Sequence, residues 1–237
     1  MNKPVFIISC PFDTYSGYGG RSRDIVKAII ETEKYDVKLL SQRWGDTPFG
    51  FCESHKEWEF LLDHKVIKID NKPDIWMQIT IPSEFQSVGT YNIGCTAGIE
   101  SNLCDSTWIE GLNRMDMNWV SSQHSKNVFA VTKFEKRDKQ TQQIIGTIEV
   151  EKPIHVVLEG VNLDVYKFLP NNEVSLDLTS IPESFCFLFV GHWMQGNFGH
   201  DRKNVSLLVK SFYETFKNKK KKPALILKAS TGVAGYM

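Results

Sequence analysis

No stretch of the sequence approaches the roughly 20 consecutive apolar residues that a membrane-spanning helix needs. The apolar start, Pro4 to Cys10, is too short for a secretory signal and runs into Pro11, Asp13 and a glycine-rich segment instead of a small-residue cleavage site. Neither sign of charge is in excess, since 28 Lys and Arg face 28 Asp and Glu. Binding to the phosphate backbone of nucleic acid relies on a basic surplus, so a nucleic-acid partner is not expected. Cysteine is scarce: Cys10, Cys52, Cys95, Cys104 and Cys186 are odd in number, widely spread and contain no C-x-x-C pair. Reduced, mostly buried thiols in a cytoplasmic protein are the expectation. Metal-ligand spacing is missing too, because His192 and His200 have no Cys or acidic partner in a recognisable pattern. The G-x-G-x-x-G fingerprint is absent, with no acidic ribose partner at its proper distance, which argues against a nicotinamide-dependent dehydrogenase.

What is there suits a globular α/β protein. Apolar residues make up 41% and charged residues 24% of 237 positions, enough for a core and for more than one common domain length. Val5 to Ser9 reads as a first buried strand, and Ile25, Ala28 and Ile29 then recur at helical spacing. Between them Ser16, Gly17, Tyr18, Gly19, Gly20 and Arg21 bring three glycines into a loop, free to take positive φ and to approach a ligand closely. A tight turn explains the same residues. Val37 to Ser41, Ile75 to Ile79, Tyr91 to Thr96, Trp119-Val120 and Ile154 to Leu158 read as further strands, and a helix follows Asp105. Trp44, Phe49, Phe51, Trp58 and Phe60 are either core packing or a platform for an acceptor. Ser125 to Gln143 needs only a surface helix and a polar loop. Leu169 to Glu183, rich in Asn, Asp, Ser and Pro, reads as a linker.

The most informative stretch is Phe185 to Phe216. Phe185 to Val190 has the composition and length of a buried strand, while Val205, Leu208, Val209, Phe212 and Phe216 repeat at helical spacing. The polar loop between them carries Gly196, Gly199, Arg202 and Lys203, and two cations at a helix start suit a phosphate. A solvated basic helix start is the competing reading. Lys217 and Lys219 to Lys222 follow the helix, where cations complement its dipole; attraction to a membrane surface is the alternative.

This stretch resembles the start of the nucleotide-binding domain in family 4 glycosyltransferases of GT-B architecture. Gly191-His192 stands for the family's Gly-Arg and Arg202-Lys203-Asn204 for its Arg-Lys-Asn, with a longer loop between. A second block, Thr96 to Glu100, Trp108, Asn113, Asp116 and Trp119 to Ser122, is similar in order to the family's N-terminal domain, and VVLEGVNLDVYKF resembles its hinge, with Asn162 for the customary Asp. The resemblance implies two Rossmann-like domains with parallel sheets: an acceptor-side domain over 1–168, a linker over 169–182 and the beginning of a nucleotide-sugar domain over 183–237. At about 55 residues that last domain is short of the roughly 100 typical, so it is expected to be incomplete.

The implied activity is retaining transfer of a sugar from a nucleotide-diphosphate donor to an acceptor hydroxyl, without a metal, in the cleft between the domains. Lys203, Arg202 and His192 would bind the donor diphosphate, with His192 replacing the first arginine. Gly17, Gly19 and Gly20 would face the cleft, and Glu100 is the carboxylate placed to act on acceptor or sugar, a solvated or helix-capping Glu being the plain alternative. The acceptor is a glycan, a lipid or a protein, and the location cytoplasmic or peripheral at a membrane. The alternative function is a non-catalytic remnant that binds carbohydrate or a partner.

Overall fold

Strand β1, Val5–Cys10, forms from an apolar run without an internal Gly or Pro, and five of its six residues are buried. The computed structural model describes residues 3–138, 140–170, 177–193, 196–201 and 203–231, without the side chains of 230 and 231. The chain divides into two compact units, Met1–Val161 and Asn162–Met237. Residues 162–168, which the sequence reading grouped with the first domain, are exposed throughout.

In the first unit β1 is followed by helix α1 (Gly17–Glu31), β2 (Asp36–Ser41), the short α2 (Phe51–Ser54), a 3-10 helix (Lys56–His64), β3 (Lys65–Val66) and β4 (Ile75–Ile79). A 3-10 turn at Pro82–Glu84 leads to β5 (Tyr91–Thr96), α3 (Ser106–Arg114), β6 (Met117–Val120), α4 (Gln123–Val131), the strands β7 (Phe134–Arg137) and β8 (Ile144–Ile148), and β9 (Ile154–Val156). Seven strands pair side by side in the order β3-β2-β1-β4-β5-β6-β9, every pair parallel. This is the Rossmann-like order, in which the chain builds outward from β1 to one side and then returns to build to the other.

Alternation along the strands sends side chains to two cores. Phe6, Ile8, Leu39, Met77, Ile79 and Ile93 pack with Ile25 and Val26 of α1 and Leu61 of the 3-10 helix. Ile7, Trp76 and Val120 pack on the other side with Ile109 and Leu112 of α3 and Phe129 of α4. Burial on both faces is why the strands read as continuous apolar runs. The helix starts follow local chemistry: Ser16 caps α1, Asp105 caps α3 and Ser122 caps α4, each side chain accepting a backbone N–H of the first turn.

Several elements differ from the sequence expectation. The glycines Gly17, Gly19 and Gly20 lie inside the first turn of α1 and none has positive φ; the Ser16 cap starts the helix before them. Ala28 is exposed on α1 although its spacing suggested the core. The segment after α4 is not a plain loop, since β7 and β8 pair antiparallel as a hairpin with a register shift at Lys136/Arg137. Its strands are short and mostly solvated, so the two-residue alternation is hidden among charges.

The second unit contains β10 (Cys186–Trp193), α5 (Val205–Phe216) and β11 (Ala224–Thr231), a parallel β–α–β arrangement. Strand β10 runs past Val190 and takes in Gly191, His192 and Trp193, which sequence reading gave to the loop. Phe187 packs against Phe212 and Phe216 of α5, while on the opposite face of the pair Leu188 is 65% and Val190 62% exposed.

Candidate functional site

In the first unit the connections after neighbouring strands β1 and β4 leave toward opposite faces, which opens a crevice at the carboxyl edge of the sheet. One side of it is the segment Pro11–Ser16 and the start of α1. The Thr14 hydroxyl donates to the Pro11 carbonyl (2.8 Å) and lies 2.8 Å from Ser16 Oγ, which in turn accepts the Gly19 N–H (2.9 Å). Beneath them the Arg23 guanidinium donates to the carbonyls of Phe12 (2.7 Å) and Thr14 (3.0 Å) and sits 3.4 Å above the Phe51 ring. The Asp13 carboxylate accepts the Cys52 N–H (2.9 Å). Buried carbonyls that a sharp loop would strand are thus paired. Gly19 is required for space, not for φ: a Cβ there would lie 2.4 Å from the Thr14 carbonyl oxygen. Gly17 has open space around its Cα, and Gly20 meets only the end of Arg23.

The first turn of α1 also ties the edge together. The Tyr18 hydroxyl is 3.1 Å from Thr96 Oγ1 at the end of β5 and accepts the Ala97 N–H (3.1 Å), and burial raises its pKa. Its ring stacks on Trp44 with centroids 3.9 Å apart and planes 23° apart. Arg21 donates to the Leu158 carbonyl (2.9 Å) and to that of Val157, just beyond β9. Of the aromatics in 44–60, Trp58 and Phe60 pack against the core and Phe51 supports Arg23, which accounts for most of that cluster as packing.

Across the crevice, Thr80 directly follows the end of β4, and its hydroxyl donates to the Glu84 carboxylate. Glu100 is exposed in a bend four residues past β5, beyond Gly98 at φ 93°, so it is not a helix cap; Asp105 fills that role. His124 is exposed on the first turn of α4. Asn113 and Asp116 serve packing: Asn113 bonds the backbone of Glu149 and Glu151, and Asp116 accepts from the backbone and side chain of Asn92.

In the second unit His192 is exposed near the carboxyl end of β10, in register with Ser230, and Lys203 is exposed just ahead of α5. Arg202 lies outside the described residues. The start of α5 is already occupied by a carboxylate. Asp201 accepts the N–H groups of Val205 (3.1 Å) and Lys203 (3.2 Å) and the Ser206 hydroxyl (3.1 Å). Burial opposes its ionised form, yet these donors together hold its pKa below the usual carboxylate range. The fold thus brings the Gly17–Gly20 turn and Glu100 to one sheet edge in the first unit, and His192 and Lys203 to the carboxyl end of the strand pair in the second. Tyr18, Arg21, Glu84 and Asp201 were not singled out from sequence; only Asp201, a short acceptor four residues ahead of Val205, carried a local signal.

Among the described residues no group of three or more His, Cys, Asp or Glu could hold a metal ion, and no helix is long and apolar enough to cross a membrane. No protein-family model matches the chain, and neither does any curated protein.

Proposed function

We propose that the protein transfers a sugar, with retention, from a nucleotide-diphosphate donor to an acceptor hydroxyl, as a GT-B-type glycosyltransferase. The observation that carries this reading is the presence in one chain of two separate parallel strand–helix arrangements, each with a glycine-bearing segment and a helix start at the carboxyl ends of its strands. The first unit would seat the acceptor, a glycan, lipid or protein. The second would hold the diphosphate through Lys203, Arg202 and His192. Developing charge on the leaving diphosphate calls for cations. Because Asp201 fills the start of α5, side-chain cations and not the helix dipole carry that role. Neither a metal nor a further cofactor is part of the proposal. Exposed lysines at and beyond the end of α5, Lys217 and Lys219 to Lys222, offer a peripheral contact to an anionic membrane.

The Asp201 carboxylate also favours a second reading, a non-catalytic carbohydrate- or partner-binding protein whose second unit holds no phosphate. One titration separates the two. Uridine, guanosine and adenosine diphosphate are each added to the chain in the presence of a chelator while thermal unfolding and binding heat are followed. The transferase reading expects one of them to stabilise the fold by about 2.7 kcal/mol at a hundredfold excess over its Kd. Lys203→Ala is expected to weaken that ligand about tenfold, or about 1.4 kcal/mol. Stabilisation by none of the three favours the binding protein, and unchanged affinity in Lys203→Ala removes the role given to Lys203.

A further inference from the structure

Other carboxylates along the carboxyl edge of the first unit are displaced or occupied, beginning with Asp46, which follows β2 on the side of β1 away from β4. Asp13 is buried and takes the Cys52 N–H. Glu100 follows β5, one strand away from the β1/β4 crevice, and Glu159 follows β9, at the end of the sheet. Glu84 alone belongs to the connection leaving β4, beside β1, and it is exposed. That is where the diverging connections of a parallel sheet leave room for a ligand.

Its turn is held from several sides. Gln78 of β4, nearly buried, donates to the Glu84 carbonyl (3.0 Å) and accepts the Gln86 N–H (2.9 Å). Arg114 of α3 donates to the carbonyls of Phe85 (2.7 Å) and Ser83 (2.9 Å). Phe85 is buried in the core, and α3 approaches so closely that a Cβ on Gly111 would lie 1.8 Å from the Pro82 carbonyl oxygen. These groups fix the backbone without help from the Glu84 carboxylate. Thr80, buried, then orients that carboxylate by donating to Oε2, and among the described residues Oε1 accepts no hydrogen bond and no cation pairs with the group. A surface glutamate normally loses rotamer freedom when it binds; one set in advance does not.

We infer that Glu84 is a positioning residue for the acceptor: its carboxylate accepts hydrogen bonds from neighbouring hydroxyls of a sugar seated between the Thr80–Phe85 turn and the start of α1. That the ligand is a sugar rests on the glycosyltransferase reading. Hydroxyl donors to an ionised carboxylate make charge-assisted bonds, about twice as strong as neutral ones, so the charge itself should be felt.

The test titrates the full chain with the methyl α-glycosides of glucose, galactose and mannose by ligand-observed NMR, with nucleoside diphosphate binding measured alongside. Glu84→Gln keeps the shape and still accepts from Thr80 but carries no charge; Glu84→Asp keeps the charge and shortens the reach. At least one glycoside is expected to bind, roughly tenfold more weakly to Glu84→Gln at an unchanged melting temperature, with partial recovery in Glu84→Asp. Absence of glycoside binding to the parent chain, equal binding to Glu84→Gln, or a loss that Glu84→Asp does not relieve would each overturn the assignment. Glycoside binding that depends on Glu84 without any nucleoside diphosphate binding sinks the transferase reading and leaves Glu84 in place. Diphosphate binding with glycosides indifferent to Glu84 does the reverse.

Discussion

Cys10, Cys52 and Cys95 lie in the core that α1 covers, and burial pushes each thiol up to about 12, with the Asp13 carboxylate adding to the effect at Cys52. Only the thiolate attacks thiol reagents, so these sulfurs are inert in the folded chain. Cys104 is buried with a raised pKa as well, and Cys186 in the second unit is partly exposed. Mapping of disulfide-exchange labelling by mass spectrometry in mildly alkaline buffer is therefore expected to find Cys186 first and the other four only after denaturation. Fast native labelling at Cys10 or Cys95 would show that the core opens. Gly19 makes a different point at the same scale. Sequence marks it as a glycine in a glycine-rich segment, which suggests backbone freedom; the structure instead needs the missing Cβ, because the Thr14 carbonyl stands where it would be. Conformation and close approach leave the same letter in a sequence.

At the scale of the element, α5 illustrates how a helix start is settled by its own chain. Asn204, at φ 52°, makes no side-chain cap, and Asp201 supplies the acceptor from three residues earlier. Its pKa is lowered on folding, so its ionised form stabilises the helix start above the unfolded carboxylate value of about 3.9, and that contribution is lost as pH falls through the lower folded value. Amide protection at Val205 and Lys203 is expected to decline through that acid range, and in Asp201→Asn to be lower from the outset without the same decline. A pH response that survives the substitution would point to another group. Elements with strong periodicity, such as β1, β4, β5, α3 and α5, stand within a residue or two of where their patterns put them. The hairpin β7–β8 escaped because most of its residues are solvated and no buried face imprints a period.

At the scale of the whole molecule, the first unit contains its full sheet, both helix layers and both cores. A chain ended after Val161 is expected to melt in one cooperative transition by circular dichroism; a broad, gradual loss of signal would mean that it depends on residues beyond. Leu188 and Val190 are exposed on one face of β10, and an apolar dye is expected to bind the full chain more strongly than residues 1–161, which keep their own exposed Ile67, Val131 and Ile145. The amino-acid sequence by itself determined the α/β class, the principal strands and helices and the mainly buried thiols, because burial imposes a period and a composition that short windows retain. It also carried the likeness on which Lys203, Arg202 and His192 were chosen. Only the tertiary structure decided which strands are neighbours. That order sets Glu84 beside the β1 edge, leaves Glu100 a strand away, and brings Tyr18 to Thr96 and Arg21 to Val157. Such pairings join residues up to 137 positions apart, as for Arg21 and Leu158, and no local pattern encodes a contact whose two halves are fixed by separate parts of the chain.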